Sequence, residues 1–244
     1  FRQATGSQET RCVIKRSAEL SDNQEMFRIE MKGDYAKQMK LTNIVFDGEN
    51  APRTHGLIRI NGGNVTLGNG ATLRNSSING SDSGAAVFMQ NGTGVLTMEN
   101  GAEITGCSAT SSGGAVFIKN YATFNMKGGL IAGNTANNNG GAVCLWDYKT
   151  TFNMTGGVIA DNTANNGAPI QYAANATKGI KLDGATFSHW ARTNGQFDFN
   201  WCQRCVCGTI FDNKIDLCQR IIYVFSIRLI CIFKIKTQHF VWLF

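Results

Sequence analysis

Acidic side chains are the first candidates for chemistry in this chain, because paired carboxylates can cleave glycosidic bonds by general acid and base catalysis. Lyase chemistry assisted by calcium would need several clustered acids and a basic residue that takes the proton. Glu99 and Glu103 lie four residues apart, but no larger cluster is evident. The seven acids between residues 56 and 199 are Asp82, Glu99, Glu103, Asp147, Asp161, Asp183 and Asp198. We therefore predict no catalytic residues.

Cysteine and histidine are the next candidates, since they serve as nucleophiles, bases and metal ligands. Cys202, Cys205 and Cys207 are closely spaced, with Cys218 nearby, but this spacing departs from the paired C-x2-C knuckles of zinc sites. Cys12, Cys107 and Cys144 are isolated, and we interpret Cys144 as a small apolar surface residue. The histidines lie in no nucleophile or HExxH motif; they are His55, His189 and His239. We predict no metal and no cofactor.

A repeated unit organises the elements that must position any functional side chain. The segment GGAVFIKNYATFNMKGGLIAGNTANN, which begins at Gly113, is followed by GGAVCLWDYKTTFNMTGGVIADNTANN, which begins at Gly140. A fixed period in this range indicates a solenoid, in which each unit stacks on the next. The apolar residues alternate with period two between Gly and Asn turns, so the unit predicts about three short strands rather than helices.

Three columns of apolar residues extend this pattern in both directions, with about 27–30 residues per unit. The first strand contributes inward pairs at Phe27/Ile29, Ile58/Ile60, Val87/Met89, Val116/Ile118, Val143/Leu145 and Ile170/Tyr172. The second contributes Leu67, Met98, Met126, Met154 and Leu182, and the third contributes Phe46, Leu73, Ile104, Ile131, Ile159 and Phe187. These columns predict an all-β fold, a right-handed parallel β-helix of about six coils. An ordinary β-sandwich core is the alternative, and the near-identity of the two central units argues against it.

Asparagine recurs in the turns at Asn134 and Asn162, and at Asn137–Asn139 and Asn165–Asn166. Stacked Asn side chains form amide ladders in cross-β structures. We therefore assign these residues to stability rather than to binding.

The composition predicts three regions along the chain. Residues 1–26 form a lead-in with a possible partial coil, residues 27–199 form the β-helix, and residues 200–244 form a tail rich in Cys, Ile and Phe. Three hypotheses for the tail remain open: a membrane segment, a cap over the last coil, or a frame change, which the abrupt shift in composition slightly favours. The apolar run 221–233 contains Arg228 and is shorter than the roughly 20 residues that span a membrane. Because the chain begins at Phe1, we expect it to be processed or a fragment.

The outward positions of the first strand are the best candidates for a binding surface. Leu57, Phe88, Phe117 and Cys144 are predicted to stack in one exposed row, with Gln90, Lys119 and Trp146 in the next. Tyr121 and Tyr148 follow in the adjoining turn. The candidate binding stripe therefore consists of Phe88, Phe117, Tyr121, Trp146 and Tyr148, which could stack on sugar rings or dock a partner. The alternative is a covered row that serves only β pairing.

The charge distribution argues against nucleic acid as a partner. The whole chain carries a formal charge of +6, but most of it lies in the tail, so the solenoid has no basic stripe. No segment is a convincing transmembrane span.

The GGAV…TFNMTGG units resemble the right-handed parallel β-helix repeats of bacterial cell-surface and secreted proteins, including adhesin-like proteins. Polymorphic outer-membrane proteins have comparable GGA(I/V) motifs, and the wider superfamily is pectin-lyase-like. The resemblance implies a non-enzymatic display or adhesion module, secreted or at the bacterial surface, that contacts glycans or host proteins. The alternative is a polysaccharide lyase or glycoside hydrolase of the same fold, although its catalytic motifs are not matched. Neighbouring coils of a longer parent chain are a further expected partner.

Overall fold

The computed structural model describes residues 11–17, 24–30, 38–90, 94–147, 150–165, 170–172, 180–182, 186–188, 208–211 and 214–217. Every regular element within these ranges is a β-strand. β1 (Cys12–Lys15) precedes five complete coils, each with four strands. A coil with three described strands follows, and then a hairpin.

The strands of the first three coils are β2 (Phe27–Glu30), β3 (Gln38–Leu41), β4 (Ile44–Asp47), β5 (Pro52–Arg53), β6 (Ile58–Asn61), β7 (Asn64–Leu67), β8 (Thr72–Arg74), β9 (Ser77–Ile78), β10 (Val87–Met89), β11 (Val95–Met98), β12 (Glu103–Thr105) and β13 (Ser108–Ala109). The later strands are β14 (Val116–Ile118), β15 (Thr123–Met126), β16 (Leu130–Ala132), β17 (Thr135–Ala136), β18 (Val143–Leu145), β19 (Thr151–Met154), β20 (Val158–Ala160), β21 (Thr163–Ala164), β22 (Ile170–Tyr172), β23 (Ile180–Leu182), β24 (Thr186–Ser188), β25 (Gly208–Phe211) and β26 (Lys214–Leu217).

Equivalent strands of successive coils pair in parallel and build four sheets. The first sheet has the order β2-β6-β10-β14-β18-β22, and the second runs from β3 through β7, β11, β15 and β19 to β23. The third sheet has the order β1-β4-β8-β12-β16-β20-β24, and the fourth is β5-β9-β13-β17-β21. The chain is therefore a parallel β-solenoid, as the repeat predicts.

The three predicted apolar columns are confirmed by the strand register. Val87 pairs with Ile58 and Val116, and Met98 pairs with Leu67 and Met126. Ile104 pairs with Leu73 and Ile131, and its side chain is fully buried. Inward residues of successive coils stand about 4.8 Å apart, so each must be apolar to fill the interior.

The number of strands per coil differs from the prediction of about three. A fourth strand of two residues follows the third in each complete coil, and its inward side chain is buried at Ile78, Ala109, Ala136 and Ala164, whereas Arg53 of β5 is partly buried. β3 and β4 belong to different sheets and are separated by a short corner in which Asn43 has a φ of 51°.

Glycine is required where successive coils approach most closely. At Gly114, a β-carbon would collide with the carbonyl oxygens of Gly141 and Thr135. The preceding Gly113 has a φ of +70°, which residues with side chains rarely adopt. The Gly-Gly pair thus lets the turn between the fourth and first sheets stack on the turn of the next coil.

The tail contributes a hairpin, since β25 pairs antiparallel with β23 and with β26. This hairpin lies at the edge of the second sheet. The apolar run 221–233 and the cysteines at 202, 205, 207, 218 and 231 lie outside the described residues, so the three hypotheses for the tail and the predicted boundaries stay open.

Candidate functional site

The outward face of the first sheet carries one continuous row of side chains. The register places Arg59 beside Phe88, Phe88 beside Phe117, and Phe117 beside Cys144. Arg28 precedes Arg59 in this row. The prediction that Leu57 belongs here is wrong, because Leu57 is fully buried in the main core. The outward position belongs to Arg59, two residues further on, which lies between the inward Ile58 and Ile60.

Most of this row is covered rather than exposed. Phe88 is 9% exposed, Phe117 is 4% exposed and Cys144 is fully buried, and the three form a separate apolar cluster. The backbone of the glycine turns lies over Phe117 and Cys144. A β-carbon added at Gly113 would lie 2.9 Å from the β-carbon of Phe117, and one added at Gly140 would lie 2.7 Å from that of Cys144. The predicted exposure of Phe88, Phe117 and Cys144 is therefore wrong.

The aromatic row continues at both ends as a stack. The rings of Phe88 and Phe117 lie 5.4 Å apart at 12°. The guanidinium of Arg59 lies over the Phe88 ring, 4.4 Å from its centroid. At the other end, the Trp146 ring lies 5.7 Å from that of Phe117 at 38°. These separations fall within the favourable range for aromatic and cation–π contacts, so the four side chains form one supported column.

Arg59 is held in place by a polar network that the sequence interpretation missed. Its guanidinium forms ion pairs with Glu25 and with Asp82, the latter at 2.7 Å, and donates a hydrogen bond of 3.1 Å to Gln90 Oε1. Burial favours the neutral form of Glu25, but a backbone hydrogen bond, Arg28 and Arg59 outweigh burial and lower the pKa of its carboxyl group. The signal in the sequence was the recurrence of arginine in one outward row, at Arg28 and Arg59.

Trp146 is the exposed end of the stack, with 43% of its surface accessible. The predicted row of Gln90, Lys119 and Trp146 is confirmed, because their amides donate to the carbonyl oxygens of Ile60, Met89 and Ile118, respectively. Tyr121, in the adjoining turn, is 45% exposed and has a φ of 67°. The Asn120 amide donates to Asp147 Oδ2 at 3.1 Å and joins the two turns. Tyr148 lies outside the described residues.

A buried asparagine ladder supports the other side of the coil. Asn134 Oδ1 accepts a hydrogen bond from the Cys107 amide, and Asn134 Nδ2 donates to Ile104 O and Asn162 Oδ1. Asn162 Nδ2 donates in turn to Ile131 O and Ala160 O. The predicted ladder is therefore confirmed for Asn134 and Asn162. In contrast, Asn137, Asn138 and Asn165 are exposed, and Asn166 lies outside the described residues.

Three cysteines within the described ranges are free thiols: Cys12 is exposed, whereas Cys107 and Cys144 are buried. Burial raises the pKa of both buried thiols to about 12. Because the thiolate is the reactive form, neither is suited to nucleophilic catalysis. The prediction that Cys144 lies on the surface is wrong.

The acids and His55 form ion pairs and polar contacts. His55 Nδ1 lies 3.8 Å from Asp82 Oδ2 and 3.1 Å from Thr54 Oγ1. Glu99 pairs with Lys40 at 2.7 Å across the second sheet. Among the residues that the structure describes, no group of three or more His, Cys, Asp or Glu side chains is arranged to hold a metal ion. His189, His239, Asp183 and Asp198 lie outside them.

A search of the described ranges finds no helix with the length and apolarity needed to cross a membrane.

Comparison with protein-family models, with curated proteins and with solved structures gives no match to this chain.

Proposed function

We propose that the chain is a non-enzymatic structural module, secreted or displayed at a bacterial cell surface, that presents an extended β-helix face to a ligand. We also propose that the chain belongs with the adhesin-like proteins of the pectin-lyase-like superfamily, whose repeats its own repeats resemble. The main support for the display function is the unbroken parallel register of the first sheet, from β2 to β22. The register fixes the spacing of the outward positions, of which Arg28, Gln90, Lys119 and Trp146 are at least partly exposed, and fixed spacing is what a display surface requires.

The interior adds to this support because it is continuous from coil to coil. The side chains of Phe124 and Phe152 stack at 5.0 Å, and both are fully buried. Asp47 and Arg74, register partners in adjacent coils, form an ion pair at 2.7 Å. Each coil therefore packs against its neighbours through all four sheets, as the units of a solenoid do.

Turnover assays on the full chain test the non-enzymatic part of the proposal. Polysaccharides of several linkage types are incubated with the chain, and reducing ends and unsaturated products are measured. We expect neither product above a heat-denatured control. Release of either would establish the carbohydrate-active enzyme and overturn the proposal.

Location is tested separately with an antibody against the chain. Intact source cells are treated with protease, and the antigen is followed in cells and medium. We expect loss of the antigen from intact cells, or its accumulation in the medium. An antigen that is protected in intact cells and absent from the medium would refute display.

We further propose that β1 pairs with a neighbouring coil of the parent polypeptide. Ile14 stands in the third core column beside Phe46, yet 40% of its surface is accessible, and the adjacent Val13 is 46% exposed. Apolar residues at an open sheet edge favour pairing with another strand. A benzophenone attached to the exposed Cys12 should cross-link to a coil of the same polypeptide in native material. Capture of an unrelated protein would contradict this.

A further inference from the structure

Among the described residues around β14 and β18, two aromatic side chains are exposed. Trp146 and Tyr121 are nearly half exposed, whereas Phe88, Phe117 and Cys144 are buried. The binding surface is therefore smaller than the predicted stripe and is displaced to one end of it. It lies where the first-sheet strands β14 and β18 end.

The Trp146 indole is held from below. The ring of Phe117 supports it, Phe88 stacks on Phe117, and Arg59 lies on Phe88. Arg59 is in turn fixed by Glu25 and Asp82. A side chain that packing already restricts loses less conformational entropy when a ligand binds, so this column pre-organises the exposed part of the indole.

Polar groups surround that face. Lys119 is the register neighbour of Trp146, and the Asp147 carboxylate follows Trp146 directly and accepts from the Asn120 amide. Lys119 and Asp147 are both partly exposed, and Gln90 lies one coil further along the same row. A ligand on Trp146 would therefore meet an apolar surface at its centre and hydrogen-bonding groups at its edge.

From this arrangement we propose that Trp146 and Tyr121 bind a saccharide, with the pyranose ring stacked on the indole and its hydroxyls directed to Lys119 and Asp147. This inference rests on the proposed display function and names its ligand class. A pyranose whose hydroxyls are equatorial has an uninterrupted face of C–H groups, which complements an exposed ring flanked by polar side chains.

A protein ligand fits this surface less well. A specific protein interface buries about 800 Å² on each partner and is centred on several apolar anchors. Within the part of this surface that the structure describes, Trp146 and Tyr121 are the exposed aromatic side chains, and the charged residues Lys119 and Asp147 adjoin Trp146. A sugar ring requires only one such platform.

Binding is measured with the full chain on an array of defined saccharides, and then by titration calorimetry with cellohexaose and chitohexaose. We expect saturable binding of at least one arrayed saccharide. W146A should weaken its affinity at least tenfold, W146F less than threefold, and Y121A by an intermediate amount. V13A removes a comparably exposed apolar side chain at the other end of the molecule and should leave affinity unchanged.

Folding of each variant is checked by far-UV circular dichroism, so that loss of binding is not loss of structure. Equal affinity of W146A and the parent chain would overturn the inference, as would silence across the whole saccharide array. A parallel array of extracellular-matrix proteins distinguishes failure of the saccharide proposal from failure of the display proposal. Binding to a matrix protein without any saccharide signal would reject the sugar ligand and leave the display module standing.

Discussion

Replacement of Asn134 by alanine is the sharpest test of how the coils are held together. Asn134 is fully buried, and its side-chain amide joins three coils. Its Oδ1 accepts from the Cys107 amide at 2.9 Å, while Nδ2 donates to Ile104 O at 3.0 Å and to Asn162 Oδ1 at 2.8 Å. Alanine removes all three hydrogen bonds and leaves the Cys107 amide buried without this acceptor.

The expected loss of stability follows from these contacts. A buried donor left without a partner costs about 1–3 kcal/mol, and each net hydrogen bond contributes about 0.5–1.5 kcal/mol. Since the contributions overlap, we expect N134A to lower the free energy of unfolding by about 2–5 kcal/mol. N125A is the matched control, because Asn125 Oδ1 accepts from Asn153 Nδ2 at 2.9 Å at a partly exposed position. Water can replace that bond, so N125A should cost less than about 1 kcal/mol.

The measurement is equilibrium unfolding in urea, monitored by far-UV circular dichroism. Both variants are analysed with the same dependence of the unfolding free energy on urea concentration. N134D adds a titration to the test, because an ionised carboxylate would face the carbonyl oxygen of Ile104. Burial raises the pKa of such an acid above its unfolded value, so N134D should gain stability as pH falls toward the unfolded pKa. Equal losses in N134A and N125A would refute the view that the buried ladder stabilises the coils more than the exposed one.

Three further predictions address the thiols, the Asp47 ion pair and the glycine turns. Iodoacetamide should modify Cys12 at mildly alkaline pH but leave Cys107 and Cys144 unmodified until urea unfolds the chain, because burial raises the pKa of both buried thiols to about 12. Peptide mass spectrometry measures the modification of each cysteine. Rapid modification of Cys144 in the folded chain would contradict its burial. Burial favours protonation of Asp47, but hydrogen bonds from the Glu49 amide, Arg74 and Asn75 outweigh it and lower the pKa of the carboxyl group. The stability that the ionised Asp47 contributes is therefore present above the unfolded pKa and is lost as pH falls through the folded pKa. D47N should accordingly be destabilised near neutral pH and should lose less stability than the parent chain as the solution is acidified. The same acid dependence of stability in both proteins would argue against the ion pair. G114A should destabilise the chain by at least about 1–3 kcal/mol, because its β-carbon would meet backbone of the next coil. The control G80A meets only ordinary contacts, the nearest at 3.6 Å, and equal thermal midpoints for the two variants would exclude the close approach.

The core could be predicted from sequence because each inward position makes the same demand in every coil. Met98, Met126 and Met154 occupy one column, and their alternation with polar residues is visible without structural information. The fourth strand was missed because it has two residues and most often buries alanine, as at Ala109 and Ala136, so it produces no apolar alternation.

The exposure of the outward row could not be predicted by the same argument. Periodicity assigns Phe117 to the side opposite the core, which is correct, but it does not say what crosses that side. The covering element is a glycine turn, whose sequence predicts a turn and not the path of its backbone. The ion pairs of Arg59 with Glu25 and Asp82 join residues that are distant in sequence and follow no repeat.

The two central units show where the surface departs from the repeat. Their inward residues are identical or similar in size, with Val116 above Val143, Phe124 above Phe152 and Ile118 above Leu145. In the first sheet two outward positions differ, because Cys144 replaces Phe117 and Trp146 replaces Lys119. Phe117 and Cys144 are buried, whereas Trp146 is exposed and is therefore less constrained by packing. Trp146 extends an existing aromatic column into solvent, and this departure from the repeat provides the surface that we propose to bind a saccharide.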